Sequence, residues 1–208
     1  VGGFVLPFAR AAGYPIPPFD FAVEGVRSMS ADLHKYGFAA KGASAIVYRD
    51  AESHAFQPFE FDAWPRGRYA VPTFAGSRPG GAVAAAWAVM RYLGRAGYVR
   101  IITEVLGARD TLVDAINAHP DLCVWGDPGG PIVAYGSPTL DIIAIGEALS
   151  ERGWFVTRGA EPPCIHIGML TLMHVPVIEQ YIDDLNASVA EVAAGRFRTG
   201  TAAATYGG

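Results

Sequence analysis

Ser28-Met29-Ser30-Ala31-Asp32-Leu33-His34-Lys35-Tyr36-Gly37-Phe38-Ala39-Ala40-Lys41-Gly42 is the stretch on which the reading of this chain turns. A His-Lys pair stands between a short apolar strand and a glycine-punctuated loop, and a second lysine follows six residues on. An apolar context is a poor place for lysine unless its amine does work. Burial lowers the amine's pKa and makes it a nucleophile able to form a Schiff base. Two solvated lysines in a loop are the plain alternative for a His-Lys pair taken alone.

Outward from this stretch, Val26 to Ser30 reads as a strand and Ala45 to Arg49 as its partner. Gly13 to Pro18 is a loop, because its prolines deny both helix and ladder hydrogen bonds. Residues 51–75 are aromatic without any period, the mark of a functional or interfacial loop. Gly76 to Gly81 opens a helix in which Ser77 is the expected cap and Pro79 sits in the first turn. Val83, Trp87 and Met90 follow at helical spacing, and Gly94 marks the end. A second helix is expected from about Tyr98 to Asn117, with Val99, Ile102, Val105 and Leu106 as its apolar stripe.

The remainder reads as a small α/β unit. Strands are expected at Leu122 to Trp125, Ile132 to Tyr135, Trp154 to Thr157 and Cys164 to Ile167. Helices are expected at Leu140 to Arg152, stopped by Gly153, and at Val177 to Ala193. Periodicity alone gives an α/β protein in two layers.

The stretch from Ser28 to Gly42 resembles the Schiff-base lysine segment of the pyridoxal-phosphate (PLP) enzymes of the group II decarboxylase type. The family pattern is Ser, an apolar residue, five residues and Lys, matched by Ser28-Met29, Ser30 to His34 and Lys35. The branch of sphingosine-1-phosphate lyases adds His-Lys-Tyr-Gly and then Lys-Gly, matched by His34 to Gly37 and Lys41-Gly42. A second run, Tyr69-Ala70-Val71-Pro72-Thr73-Phe74-Ala75-Gly76-Ser77-Arg78-Pro79-Gly80, is similar to that branch, with Val71 where the family has Ser. A third, looser match is Ala203-Ala204-Thr205-Tyr206-Gly207.

The resemblance implies an α/β, PLP-dependent transferase-like fold of type I. Residues 1–95 would finish the PLP-binding large domain, 96–118 form a connecting helix, 119–195 a small α/β domain and 196–208 a tail. Val1 is not Met, and the chain is expected to be the C-terminal part of a longer enzyme. The resemblance makes Lys35 the Schiff-base residue and sets His34 near the cofactor. Gly76 and Ser77 would reach the cofactor phosphate of the neighbouring subunit in a homodimer with shared sites. Lys41, Tyr69 and Tyr206 would serve the substrate, with Lys41 also in the catalytic loop.

The implied reaction breaks the C2–C3 bond of a phosphorylated sphingoid base, a phospholipid-derived substrate, giving a long-chain aldehyde and phosphoethanolamine. An amino-acid decarboxylase of the same fold, or a fragment that only dimerises, remains an alternative. Lys41 favours the lyase, since an ammonium pairs with phosphate and has no duty in losing a carboxylate.

Composition excludes other classes. The 208 residues are 51% hydrophobic and carry a net charge of −4, which gives nucleic acid no basic patch. No apolar run is long enough to span a membrane. Cys123 and Cys164 read as buried thiols in a reducing, cytoplasmic setting. The histidines show no metal-ligand spacing, and His54, His119, His166 and His174 read as structural or exposed.

Overall fold

The computed structural model describes residues 2–197, so Tyr206 lies outside the described residues. The chain divides between Val99 and Arg100 into two compact units.

The first unit opens with helix α1 (Gly2–Ala11). Nothing in the sequence announces this helix, because two glycines and Pro7 all lower helix propensity. Packing overrides propensity here. Val5 and Ala9 are buried, and Phe4 and Phe8 set their rings 5.2 and 4.9 Å from Tyr98. Helix α1 lies against strand β1 (Ser28–Asp32). That strand pairs antiparallel with β2 (Ser44–Tyr48), in a register that sets Asp32 opposite Ser44. The expected strand pair is therefore present, with β1 displaced towards the lysine.

Residues 51–75 hold elements that the missing period conceals. Helix α2 (Ala51–His54) starts at Asp50, whose carboxylate accepts from the Ser53 backbone N–H at 2.7 Å. Strands β3 (Phe59–Phe61) and β4 (Tyr69–Val71) form a hairpin that pairs Phe61 with Tyr69. Three-residue strands are too short to display alternation, and these are exposed on both faces, so no buried side selects the sequence.

The two expected helices appear as one element, α3 (Gly80–Ala118), broken at Gly94. Gly94 has φ 57° and ψ −177°, a conformation that only glycine adopts easily, so the expected stop is a kink. The helix begins at Gly80, which leaves Ser77 and Pro79 in the preceding segment and not in a cap. Val83, Trp87 and Met90 are exposed; the buried residues are Ala82 and Ala86, packed with Ala43 of the lysine loop. Alanines at these positions let the helix backbone come close.

Gly37 is buried between the lysine and α3. A methyl group there would lie 2.4 Å from the Leu33 carbonyl oxygen and 2.8 Å from its Cα. Both are backbone atoms and cannot swing away. Gly37→Ala is expected to lower stability by about 1–3 kcal/mol. Thermal unfolding followed by circular dichroism reads this as a reduced Tm, and an unchanged Tm contradicts the close approach.

The second unit is a four-stranded antiparallel sheet with helices. Strands β5 (Cys123–Val124), β6 (Val133–Gly136), β7 (Thr157–Ala160) and β8 (Pro163–Ile167) take the order β5-β6-β8-β7. Helix α4 (Ile142–Glu151) is capped by Asp141, which accepts from Ile143 and Ala144 backbone N–H groups at 2.9 and 3.3 Å. Helix α5 (Ile178–Ala193) packs on α4, and α4 packs on β7 and β8. Leu106, Leu112, Ile145, Leu149, Ile165 and Leu185 form the core.

Strand β7 starts later than its expected position at Trp154. Trp154 is held outside the ladder, with its indole N–H donating to Asp184 at 2.8 Å and its ring edge-on to Tyr181. Arg109 is buried and donates to Asp110 and to the carbonyls of Pro128 and Gly130, fixing the turn between β5 and β6.

Candidate active site

The end of β1 and the turn after it present Lys35. The Lys35 backbone N–H donates to the Asp32 carbonyl at 3.4 Å and the Phe38 N–H to the Lys35 carbonyl at 3.0 Å, so the chain coils tightly there. The Lys35 ammonium lies 2.6 Å from Asp32 Oδ2. The other carboxylate oxygen, Oδ1, accepts from the Ser44 hydroxyl at 2.6 Å, across the strand pair. These two hydrogen bonds, the Lys35 one foremost, lower the Asp32 pKa to about 2. Asp32 is therefore a carboxylate at any physiological pH.

His34 points its imidazole back at the chain, with Nδ1 2.8 Å from the Ala43 carbonyl oxygen. A carbonyl only accepts, so Nδ1 carries the hydrogen. In the neutral ring Nε2 then keeps a lone pair. Tyr36, next to the lysine, is buried, and desolvation raises its phenol well above the ordinary value. The turn is clamped by Tyr98, whose hydroxyl donates to the Gly37 carbonyl at 2.9 Å and whose ring stacks on Phe38.

Lys41 is exposed at the far end of the loop. The adjacent Gly42 lies against Ala82, so the start of α3 meets the lysine loop here. Gly76 and Ser77 stand in the segment leading to that helix start, with Gly76 at φ 65° and Ser77 exposed. In the same segment Thr73 Oγ1 is buried without a hydrogen-bond partner. Tyr69 sits on the exposed hairpin, edge-on to Trp64 at 5.8 Å. Tyr69, Thr73 and Phe74 border a cleft of about 460 Å³.

The structure thus joins His34 and Lys35 in one turn and brings the helix after Gly76 and Ser77 to the lysine loop. Asp32, Ser44 and Tyr98 were missed by sequence reasoning. Asp32 was legible as a carboxylate three residues before the lysine. Ser44 depends on strand register and Tyr98 on a tertiary contact, neither of which has a local signal.

The other histidines make contacts of their own. His54 packs edge-on against Tyr48, His119 Nδ1 accepts from the Asp121 N–H at 3.1 Å, and His174 Nδ1 accepts from the Thr171 N–H at 3.0 Å. His166 is half-buried in β8 opposite Thr157 and Ala134. His166 and His174 border a largely apolar cavity of about 470 Å³ in the second unit, which no lysine lines. Cys123 and Cys164 are free and half-buried. Among the described residues no acidic, histidine or cysteine cluster could hold a metal, and no helix is long and apolar enough to cross a membrane.

The fold is that of the PLP-dependent enzymes of fold type I. A sphingosine-1-phosphate lyase of Burkholderia pseudomallei superposes with a TM-score of 0.87 at 36% identity, over 94% of this chain and 45% of that one. A Lactobacillus brevis glutamate decarboxylase superposes with a TM-score of 0.70 at 18% identity, over 89% of this chain and 45% of that one, a likeness of fold alone. No family model matches the chain.

In sequence the chain is similar to the sphingosine-1-phosphate lyases. That of Arabidopsis thaliana is 45% identical over 194 residues, which is 93% of this chain and 36% of the relative. The mouse protein is 37% identical over 195 residues, 92% of this chain and 34% of the relative. A probable L-tyrosine/L-aspartate decarboxylase of Methanothermobacter thermautotrophicus is 32% identical over 184 residues, covering 88% and 50%. This chain spans about a third of the length of the lyases it matches.

The donors present fit PLP. Lys35 offers the primary amine that its aldehyde requires, and His34 offers an imidazole in a fixed tautomer. The orphaned Thr73 hydroxyl, close in sequence to Gly76 and Ser77, is the kind of group a phosphate oxygen satisfies.

Proposed function

We propose that this chain carries the lysine-bearing part of a PLP-dependent lyase that cleaves the C2–C3 bond of phosphorylated sphingoid bases. The products are a long-chain aldehyde and phosphoethanolamine. The observation that carries this reading is the Lys35 amine, presented by a His-Lys-Tyr-Gly turn 2.6 Å from a carboxylate. Similarity to the lyases across nearly the whole chain supports it.

Lys35 would hold PLP, which when bound would supply an aldehyde carbon for joining to an amine and a ring able to accept the electrons of the broken bond. Lys35 Nζ then acts as the proton carrier between the substrate hydroxyl and carbon. His34, its Nδ1 tied to the Ala43 carbonyl oxygen, would offer its imidazole to the cofactor. Lys41 and Tyr206 bind the substrate phosphate, with Tyr69 contributing to the substrate pocket. Gly76 and Ser77 offer backbone N–H and hydroxyl donors to the cofactor phosphate of a neighbouring subunit in a homodimer. The reading also makes the protein cytoplasmic, in keeping with its two free thiols.

The test is product analysis. The complete protein with PLP and a phosphorylated long-chain base is expected to release aldehyde and phosphoethanolamine in equal amounts. Carbon dioxide release from amino acids, with no aldehyde from the phosphorylated base, would replace this reading with the decarboxylase one.

A further inference from the structure

We infer that Asp32, braced by Ser44, is a positioning residue that holds the Lys35 amine beside the reaction centre whenever that nitrogen is not joined to the cofactor. The inference rests on the assignment of Lys35 proposed above.

Both carboxylate oxygens of Asp32 are used, and in different directions. Oδ2 receives the Lys35 ammonium at 2.6 Å and Oδ1 the Ser44 hydroxyl at 2.6 Å. Ser44 is fixed by the ladder directly opposite Asp32, so it stops the carboxylate from turning away. The Asp32 side chain is 21% exposed against 39% for Lys35, so the anchor is the more enclosed partner. The chain has two lysines, and only one is held in this way. Lys41 is exposed and pairs with no described carboxylate.

Both Asp32 oxygens already hold a hydrogen bond, which assigns the division of labour, and the lowered Asp32 pKa agrees with it. A carboxyl with a pKa of about 2 does not take up a proton near neutral pH. Asp32 therefore holds the amine and does not act as its base. A proton that Nζ accepts from the substrate hydroxyl stays on Nζ as an ammonium. It is then delivered from Nζ to the substrate carbon left by the cleavage. Asp32 remains ionised throughout, and no net proton is gained or lost by the pair.

Trace acetylation of the cofactor-free complete protein tests this, with Lys41 as internal reference. Peptide mass spectrometry reads the ratio of label on Lys35 to label on Lys41 at neutral pH. Asp32→Asn removes the charge and keeps the shape. It is expected to raise that ratio about three- to tenfold, less than a charge-assisted hydrogen bond usually gives because the pair is partly solvated. Ser44→Ala is expected to raise it less, in the same direction. An unchanged ratio in folded Asp32→Asn overturns the inference.

A second measurement does not depend on that variant folding. Carboxyl ¹³C NMR is expected to move the Asp32 midpoint up from about 2 when Lys35 is replaced by Met. No movement overturns the pairing. Borohydride mapping with PLP separates the two readings: a label absent from Lys35 sinks the cofactor assignment, while the acetylation ratio still judges the Asp32 contact.

Discussion

Lys35→Ala is expected to abolish turnover. Borohydride reduction of the unmutated complete protein with PLP is expected to leave the pyridoxyl mass on the peptide that carries Lys35. The variant would lose two proposed functions together, the covalent attachment of the cofactor and the movement of protons at Nζ. Loss of proton transfer alone costs roughly 10²- to 10⁴-fold, and loss of attachment deepens the defect. The structure sharpens the alternatives, because Lys35 and Lys41 are the chain's only lysines. A pyridoxyl mass on Lys41, or a Lys35→Ala variant with normal activity, would remove the central assignment.

Lys41→Ala is expected to lower kcat/KM by about tenfold to a hundredfold, the effect of losing one charge-assisted hydrogen bond of roughly 1.5–3 kcal/mol. Lys41 is exposed and bears no fold-supporting ion pair with a described residue, so the variant should keep its Tm. The pyridoxyl label should remain on Lys35. The loss is expected to be larger on the phosphorylated base than on its dephosphorylated analogue, since only the first offers a charge for the ammonium to meet. Equal losses on both substrates would assign Lys41 to loop structure or proton transfer. An undiminished rate would return it to the solvated surface.

The legible part of this molecule was the part written in short-range patterns. The amphipathic helix α5, helix α4 and the lysine turn each carry their own signal within a few residues. Helix α1 did not, because its stability comes from Phe4 and Phe8 packing on Tyr98, far along the chain. The exposed stripe of Val83, Trp87 and Met90 shows the reverse case. Its spacing was right, yet spacing says nothing of which face is covered, and Ala82 and Ala86 carry the burial. In the candidate site, Lys35, His34 and Lys41 are the residues that the motif proposes. The carboxylate that grips Lys35 was adjacent and still passed over, because a motif names positions and not the hydrogen bonds between them. Ser44 became visible only with the register of β1 and β2.

Phe38 has a left-handed backbone, with φ 55°. A residue with a Cβ there is unfavourable by about 1–2 kcal/mol. The offset comes from Tyr98, which grips the Gly37 carbonyl and the Phe38 ring from 61 positions away from Gly37. That contact has to wait for a long loop to close, with the entropy this entails. The lysine turn therefore draws part of its shape from a contact outside its own stretch of sequence. The chemistry proposed for this chain would thus depend on a residue that lies far from the lysine in sequence.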